Sequence, residues 1–302
     1  MIVGHNKNLQ YLKDIVNRGN YSHAYLFSGP DRTGKTKVAE YFAQSLLCEQ
    51  TTDDAPCGKC SSCKLFGAGN QPDFLFYDGY DNLNVEEVRE LVHFLELKPY
   101  QSPMKVAVIA HVERMSTSAA NSFLKTLEEP APNTLIILTS ENSSNLLPTI
   151  VSRTQVVGFG FVPTGEIQNH IANTCKVASD RAEDISNFSA GKIGLAIELA
   201  ENPGKMDEIR LFLKNFLTAM TSRSYSERLL EAEGIADMKD RAMEFLSYAE
   251  NYYQTKIGSE ITDKKELLKI ATQLDKIAQS KEYILKNVNL RLVLESLLLQ
   301  GA

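Results

Sequence analysis

Ala24-Tyr25-Leu26-Phe27-Ser28, then Gly29-Pro30-Asp31-Arg32-Thr33-Gly34-Lys35-Thr36, then an amphipathic run to Glu49, is the stretch whose reading decides the fold. The first piece reads as a buried strand and the last as a helix with Val38, Ala39, Phe42, Ala43 and Leu46 on one side. The loop between them fits G-x-x-x-x-G-K-[ST]. In such a loop backbone N–H groups wrap phosphates, the lysine reaches the terminal ones and the hydroxyl holds Mg²⁺. Glycine is needed at both ends because the backbone turns tightly and approaches its ligand without a Cβ in the way. The helix that follows points its positive N-terminus at those phosphates. A glycine-rich turn that binds nothing is the bland alternative. The position between an apolar strand and an amphipathic helix favours a nucleotide-binding fold.

Seven further stretches extend that reading. Leu9, Leu12, Ile15 and Val16 have helical spacing over 7–18. A strand spans Asp73 to Asp78, and a helix from about Val85 to Leu97 carries Val88, Leu91, Val92 and Leu95 on one face. Lys105–Ala110 and Thr134–Thr139 are short all-apolar strands of the kind buried on both faces of a parallel sheet. Between them, 116–128 forms a helix with Ser116 as its N-cap, and Gln155–Phe159 is a fifth strand. Strands alternating with helices imply a five-stranded, doubly wound parallel sheet, with ligands at the carboxyl ends of its strands.

Beyond Pro163 the composition changes. All ten prolines lie at or before Pro203. Residues 163–204 read as a small helical unit whose last helix starts at Ala190-Gly191-Lys192-Ile193-Gly194, and 205–302 as a larger helical domain. Leu267, Ile270, Ala271, Leu274, Ile277 and Ala278 set one long helical pattern there. Leu290–Leu299 is apolar almost all round, as expected of a helix buried against others. The expected domains are therefore 1–162, 163–204 and 205–302.

At 302 residues, with 43% apolar and 23% charged residues, the chain has the bounds of a soluble globular protein of two or three domains. A net charge of −6 and a pI near 5.5 exclude a free-standing basic nucleic-acid binder. Work on nucleic acid would take place within an assembly whose other members supply the positive charge. No apolar run approaches the roughly 20 residues of a membrane span, and Met-Ile-Val-Gly-His-Asn-Lys lacks the core of a signal peptide. The cytoplasm is the expected compartment, without a membrane partner. Five cysteines there point to thiols or metal rather than disulfides.

Four of those cysteines, Cys48, Cys57, Cys60 and Cys63, form C-x8-C-x2-C-x2-C within an excursion over 48–72. Short loops let several thiolates converge on one ion, and four thiolates close a tetrahedral structural Zn²⁺ site. An iron–sulfur cluster is the rival, although the further cysteine-proline of the ferredoxin run is absent. Unliganded thiols remain the third reading. Cys175 stands alone.

Together these residues resemble the bacterial clamp-loader subunits of the AAA+ class, the gamma/tau and delta-prime subunits of DNA polymerase III. The resemblance rests on Ser22-His23-Ala24-Tyr25-Leu26-Phe27 leading into the loop and on the cysteine insertion. It continues in Ser118-Ala-Ala-Asn-Ser-Phe-Leu-Lys-Thr-Leu-Glu-Glu-Pro130 and Leu147-Pro148-Thr149-Ile150-Val151-Ser152-Arg153. It covers the first half of the chain; the second half is similar only in being helical and of suitable size. It implies a AAA+ core, a helical lid and a helical collar that joins subunits into a ring. It also implies gamma/tau and delta as partners, and a sliding clamp loaded on primed DNA through the complex.

The departures favour the delta-prime branch over gamma/tau. Where the motor subunits carry adjacent Asp and Glu after the third strand, this chain has Ala110 and His111, with Glu113 two residues on. The motor arginine near the start of the last lid helix falls on Gly194. ATP or ADP with Mg²⁺ is expected at Gly29–Thr36, with Thr139 in the γ-phosphate-sensing neighbourhood and little hydrolysis. His111 reads as an exposed or capping residue and His23 as a motif residue or a satisfied buried one. By resemblance Arg153 faces a neighbour's nucleotide as an arginine supplied in trans. A surface arginine paired with a local carboxylate is the alternative.

Overall fold

Alternate side chains of the central strands leave to opposite faces of one all-parallel sheet, and both faces are covered. The computed structural model describes residues 2–50, 56–79, 83–222, 224–238, 241–258 and 263–299. It divides into two units, Met1–Pro163 with Lys192–Gly194, and Thr164–Gly191 with Leu195–Ala302. In the first, β1 (Ala24–Ser28), β2 (Phe74–Asp78), β3 (Lys105–Ala110), β4 (Thr134–Ser140) and β5 (Gln155–Gly158) lie in the order β2-β3-β4-β1-β5. Tyr25, Phe27, Val106, Val108, Leu135 and Ile137 point to one face, where α1 (Asn6–Arg18) and α2 (Lys35–Leu47) cover them. Leu26, Ala107, Ile109, Ile136 and Leu138 point to the other, under α4 (Val85–Glu96) and α5 (Thr117–Glu128). Two-sided burial explains why β3 and β4 read as unbroken apolar runs rather than alternating ones. Each large apolar side chain so buried contributes about 1.5–3 kcal/mol.

Local chemistry sets the ends of these elements. Ser116 Oγ accepts the Ala119 N–H at 3.2 Å and starts α5 as expected. Asn84 and Glu87 form a reciprocal capping box at the start of α4, so that helix too carries its own start signal. The cysteine excursion, of which 51–55 fall outside the described residues, carries the short helix α3 (Ser61–Gly67). Ser62 fastens it to the end of α2 by donating to Leu47 O at 2.6 Å, and Gln71 in turn donates to Ser62 Oγ at 2.6 Å.

Asp73, wholly buried before β2, holds the crossover into β3. Its carboxylate accepts the N–H groups of Tyr100 at 2.6 Å, Gln101 at 2.9 Å and Ser102 at 2.8 Å. Burial pushes the carboxyl pKa up, but these three donors outweigh it, so the net shift is downward.

The second unit is helical: α7 (Thr164–Asn173), α8 (Ser179–Ser189), α9 (Ile193–Glu201), α10 (Pro203–Thr221), α11 (Tyr225–Asp237), α12 (Ala242–Gly258), α13 (Lys264–Leu285) and α14 (Leu290–Leu299), the first residues of α9 grouping with the first unit. Beside α6 (Pro148–Val151) of the first unit, these complete the helices among the described residues. Lys205 is shared by Glu198 and Glu244, and Tyr248 donates to Glu244 at 2.6 Å, a polar network next to buried Phe245. Arg228 is buried too. Its guanidinium caps α14 by donating to Leu299 O at 3.0 Å and Leu298 O at 3.4 Å, and it also donates to Ser222 O.

The long helix expected over 267–278 is present as α13, and one expectation for this unit needs correction, that of α14. In α13, Ile270 and Ile277 are buried with Ser280, whereas Leu267 and Ala278 face water. The buried face is narrower than the apolar spacing suggested, because α13 packs mainly against α12 and α14 alone. In α14, Val293, Leu294, Leu297 and Leu298 are buried but Leu292 is 61% exposed, so one side of this all-round apolar helix is uncovered.

Asp73→Ala should lower unfolding free energy by about 2–3 kcal/mol, since it strands backbone donors that a charged acceptor satisfied. Because the folded pKa is depressed, the contribution is present above the ordinary carboxylate value of 3.8 and is lost as pH falls through the folded value. Urea denaturation should therefore show a gap between wild type and Asp73→Ala at pH 7 that narrows steadily below pH 3.8. A pH-independent gap would refute the assignment.

Candidate functional site

The loop Gly29–Thr36 leaves the carboxyl end of β1, and the neighbouring strands bring their own carboxyl ends beside it. Ser28 is in register with Ser140 of β4 and Gly158 of β5. Gly29 meets the end of β5 so closely that a Cβ there would lie 2.1 Å from Phe159 O, which explains the first glycine of the motif. Gly34, at φ 100°, explains the second. Inside the loop, buried Thr33 donates to Pro30 O at 2.8 Å, and His5 Nε2 lies 2.8 Å from Thr33 O. No sequence signal marked His5 as a loop neighbour.

Lys35 is almost fully buried and its ammonium turns back to donate to Gly29 O and Pro30 O, both at 2.7 Å. Burial lowers its pKa, against the opposing pull of Asp31, Glu141 and Glu113. Those three carboxylates therefore act on the charge of the loop's lysine.

Glu113, two residues beyond the position of the motor carboxylates, is brought back by the local backbone. His111 takes the left-handed conformation at φ 52°, and a single 3-10 turn over Val112–Arg114 follows. This returns Glu113 to the strand ends, where Oε1 accepts the Glu141 N–H at 3.2 Å and lies 3.8 Å from His111 Nδ1. Desolvation raises the Glu113 pKa, but hydrogen bonds led by His111 outweigh it and the net shift is downward. His111 stands at the N-cap position of that turn, without a side-chain cap bond, and is mostly buried rather than exposed, its side chain 13% exposed. Positive φ at a non-glycine residue leaves no mark in the sequence.

Thr139 is fully buried in β4, and its hydroxyl accepts the His111 N–H at 3.3 Å. Thr36 opens α2 just after Lys35, partly exposed. Gly194 donates its N–H to Arg32 O at 2.8 Å, and a Cβ there would stand 3.2 Å from that oxygen. The position that carries arginine in the motor subunits is here backbone laid against the loop.

The cysteines gather as expected. The sulfurs of Cys48, Cys57, Cys60 and Cys63 lie within 4.8 Å of one another. Cys57 Sγ accepts the N–H groups of Lys59 at 3.5 Å and Cys60 at 3.4 Å, and Cys60 Sγ accepts that of Cys63 at 3.3 Å. Donation from Lys59 and Cys60 lowers the Cys57 thiol to about 6, whereas burial pushes Cys63 up to about 12 and Cys48 upward. Cys48 and Cys63 are buried and Cys57 and Cys60 half-buried, and the donor set can hold one metal ion.

Arg153 follows α6 near the amino ends of β1 and β5, away from the phosphate loop. It lines an open cleft of about 570 Å³ with Ser22, His23, Leu127 and Glu128. Its guanidinium pairs with Glu128 at 2.6 Å and donates to Thr149 O at 3.0 Å. This local pair was the alternative in the sequence reading. With the two side chains 32% and 49% exposed it is worth about 0–1 kcal/mol, so it holds the arginine only loosely. His23 lies 3.1 Å from Leu127 O, a satisfied histidine.

Residues 4–162 match a family model described as DNA polymerase III, delta subunit. The chain is similar to DNA polymerase III subunit delta' of Pseudomonas aeruginosa, 39% identical over 45% of this chain and 42% of that one. It is 31% identical to subunit delta' of Haemophilus influenzae over 74% of this chain and 69% of that one. With subunit tau of Bacillus subtilis it shares 32% over 66% of this chain and 36% of that one, so two of these three relatives are matched over well under two thirds of their length. A gamma subunit-related protein of Thermotoga maritima has a similar fold, with a TM-score of 0.52 and 20% identity over 97% of this chain and 98% of that one.

Gly29→Ala should cost at least about 1–3 kcal/mol, because the added methyl collides with backbone rather than with a flexible side chain. Thermal denaturation checks this: an unchanged Tm would mean that β5 does not close on the loop.

Proposed function

Since the chain belongs to the family described as DNA polymerase III, delta subunit, we propose that it is a delta-prime-type subunit of the DNA polymerase III clamp loader. In this reading it is a AAA+ subunit that supports assembly of the ring and itself hydrolyses little ATP. The observation that carries it is a complete phosphate loop beside a third strand ending in Ala110 and His111. Residues 1–162 act as the AAA+ domain, 163–204 as lid and 205–302 as collar. The partners are gamma/tau and delta subunits, with the sliding clamp and primed DNA engaged through the complex in the cytoplasm.

The loop fits ATP or ADP: its glycines keep the cradle free of Cβ atoms, and Lys35 and Thr36 would face the phosphates. The residues do not fit the Mg²⁺ arrangement of a motor subunit. Alanine offers no ligand atom, and an imidazole suits Mg²⁺ poorly. A second reading, a hydrolysing gamma/tau-like ATPase, is favoured by one observation, the return of Glu113 to within reach of Lys35's field. Against it, one Glu113 oxygen is already held by the Glu141 N–H.

Four thiolates of this geometry suit Zn²⁺ in a structural role. The purified protein should hold close to one zinc, released by a thiol reagent. Cys60→Ser should lose it and become protease-sensitive over 48–72 while keeping the sheet; zinc-free protein, or iron absorbance, would contradict this assignment.

Arg153 would act on a neighbouring subunit's nucleotide after leaving Glu128. An arginine supplied in trans stabilises developing charge on a phosphoryl group, an effect of about 10³–10⁵ in rate in GTPases, and lysine lacks its two-pronged donation. In reconstituted loader, Arg153→Ala and Arg153→Lys should depress DNA-stimulated ATP hydrolysis while zinc and assembly persist. The isolated protein should turn over ATP near background. Steady turnover abolished by Lys35→Ala and by Glu113→Gln would establish the second reading instead.

A further inference from the structure

The carbonyls of the phosphate loop are occupied by donors, and one of those donors comes from the start of the chain. We propose that His5 is a positioning residue of this loop: by donating from Nε2 to Thr33 O it fixes the Thr33–Gly34 peptide, and so aims the Gly34 N–H at the anion that the loop receives. The bond is 2.8 Å long and spans 28 residues of sequence. Because a carbonyl only accepts, Nε2 carries the hydrogen, and Nδ1 is then the acceptor of the neutral ring. The inference rests on the reading of Gly29–Thr36 as a nucleotide loop.

Peptide geometry explains the effect. In a trans peptide the C=O and the following N–H point in opposite directions. Anchoring Thr33 O therefore sends the Gly34 N–H away from His5. Without an anchor this peptide is soft, because Gly34 has no Cβ and sits at φ 100°. Arg32, on the other side of Thr33, is held left-handed at φ 58°, a conformation that a non-glycine residue does not keep unaided. The neighbouring carbonyls are treated alike. The Gly194 N–H reaches Arg32 O at 2.8 Å, and the Thr33 hydroxyl reaches Pro30 O at 2.8 Å. With their carbonyls occupied, successive N–H groups form the anion-binding concavity of a nest. Those of Gly34, Lys35 and Thr36 also open α2, where a helix gives its first N–H groups no acceptor.

The surroundings of His5 hold the imidazole to this task. His5 stands at the N-cap of α1, yet its side chain makes no cap bond there, so the ring serves the loop rather than its own helix. It follows Gly4, whose left-handed backbone at φ 73° lies so near Val162 that a Cβ would come within 2.9 Å of that side chain. The ring stands edge-on to Phe159 with centroids 4.9 Å apart, and the Phe159 N–H donates to Ser28 O at 2.7 Å. The imidazole is thus braced on the ends of β1 and β5, from which the loop departs. Lys35 differs, since its ammonium occupies Gly29 O and Pro30 O and must leave them to meet a phosphate. The bond to Thr33 O takes no part in that exchange and persists when the loop is filled.

The test compares His5→Phe, which keeps a ring against Phe159 but has no donor, with His5→Gln, which keeps a donor without the ring. Two readouts are taken on the full chain: the ¹⁵N order parameter of Gly34 without nucleotide, and the binding of ADP by calorimetry. In His5→Phe the order parameter should fall from the rigid range, about 0.85, toward the flexible one, below about 0.6. ADP should bind it about 2–12-fold more weakly, the equivalent of one net hydrogen bond. His5→Gln should restore both readouts, whereas a role in packing alone would make phenylalanine the better substitute. Thermal melts confirm that both variants are folded. A Gly34 as ordered in His5→Phe as in wild type, or an unchanged ADP affinity in that variant, overturns the proposal. Should wild type bind no ADP, the nucleotide reading falls, and the Gly34 order parameter alone decides whether His5 holds the loop.

Discussion

The register of β1 with its two neighbours is the constraint on which the rest of the first unit depends. Ser28 is paired with Ser140 on one side and Gly158 on the other, so three strands finish at the same level. Shifting any of them by one residue would turn its buried side chains to the wrong face and pull its terminal groups out of reach. Gly29 bears this most tightly, since its Cα has no room for a methyl beside Phe159. Loop, His111, Glu113 and Glu141 converge because the sheet edge is flush there. The opposite edge of the same sheet carries Arg153, so strand direction alone separates the groups that would serve this chain's nucleotide from one that would serve another's.

That separation also fits the charge pattern. Lys35 is buried within the field of three carboxylates, and its ammonium is satisfied by the carbonyls of its own loop. A phosphate entering the loop would have to draw the lysine off those carbonyls. Arg153, by contrast, has a partly exposed partner and gives it up at little cost.

Much of this was legible in the sequence, for identifiable reasons. Strands buried on both faces advertise themselves as short apolar runs, which is why β3 and β4 could be read within a residue of their ends. Ser116, the phosphate loop and the cysteine spacing are local signals whose geometry is fixed over a few residues. What stayed hidden depends on contacts distant in the chain or on unusual backbone. The turn at His111 reverses the chain without a glycine, so Glu113 looked two residues too far away. Asp73 gives no sign that its partners are amides at 100–102. In α13 and α14, apolar periodicity marks what can be buried, while the packing partners decide what is; Leu267 and Leu292 are the difference.

Arg228 has a consequence for the time course of folding. Its acceptors, Leu298 O and Leu299 O, lie 70 and 71 residues further along. At synthesis rates of about 5–20 residues per second, that distance corresponds to roughly 4–14 s between the arginine and its partners. Until Leu298 and Leu299 are made, Ser222 O, six residues earlier, is the one of these three acceptors already in place, so the burial of the guanidinium is fully compensated once α14 is present.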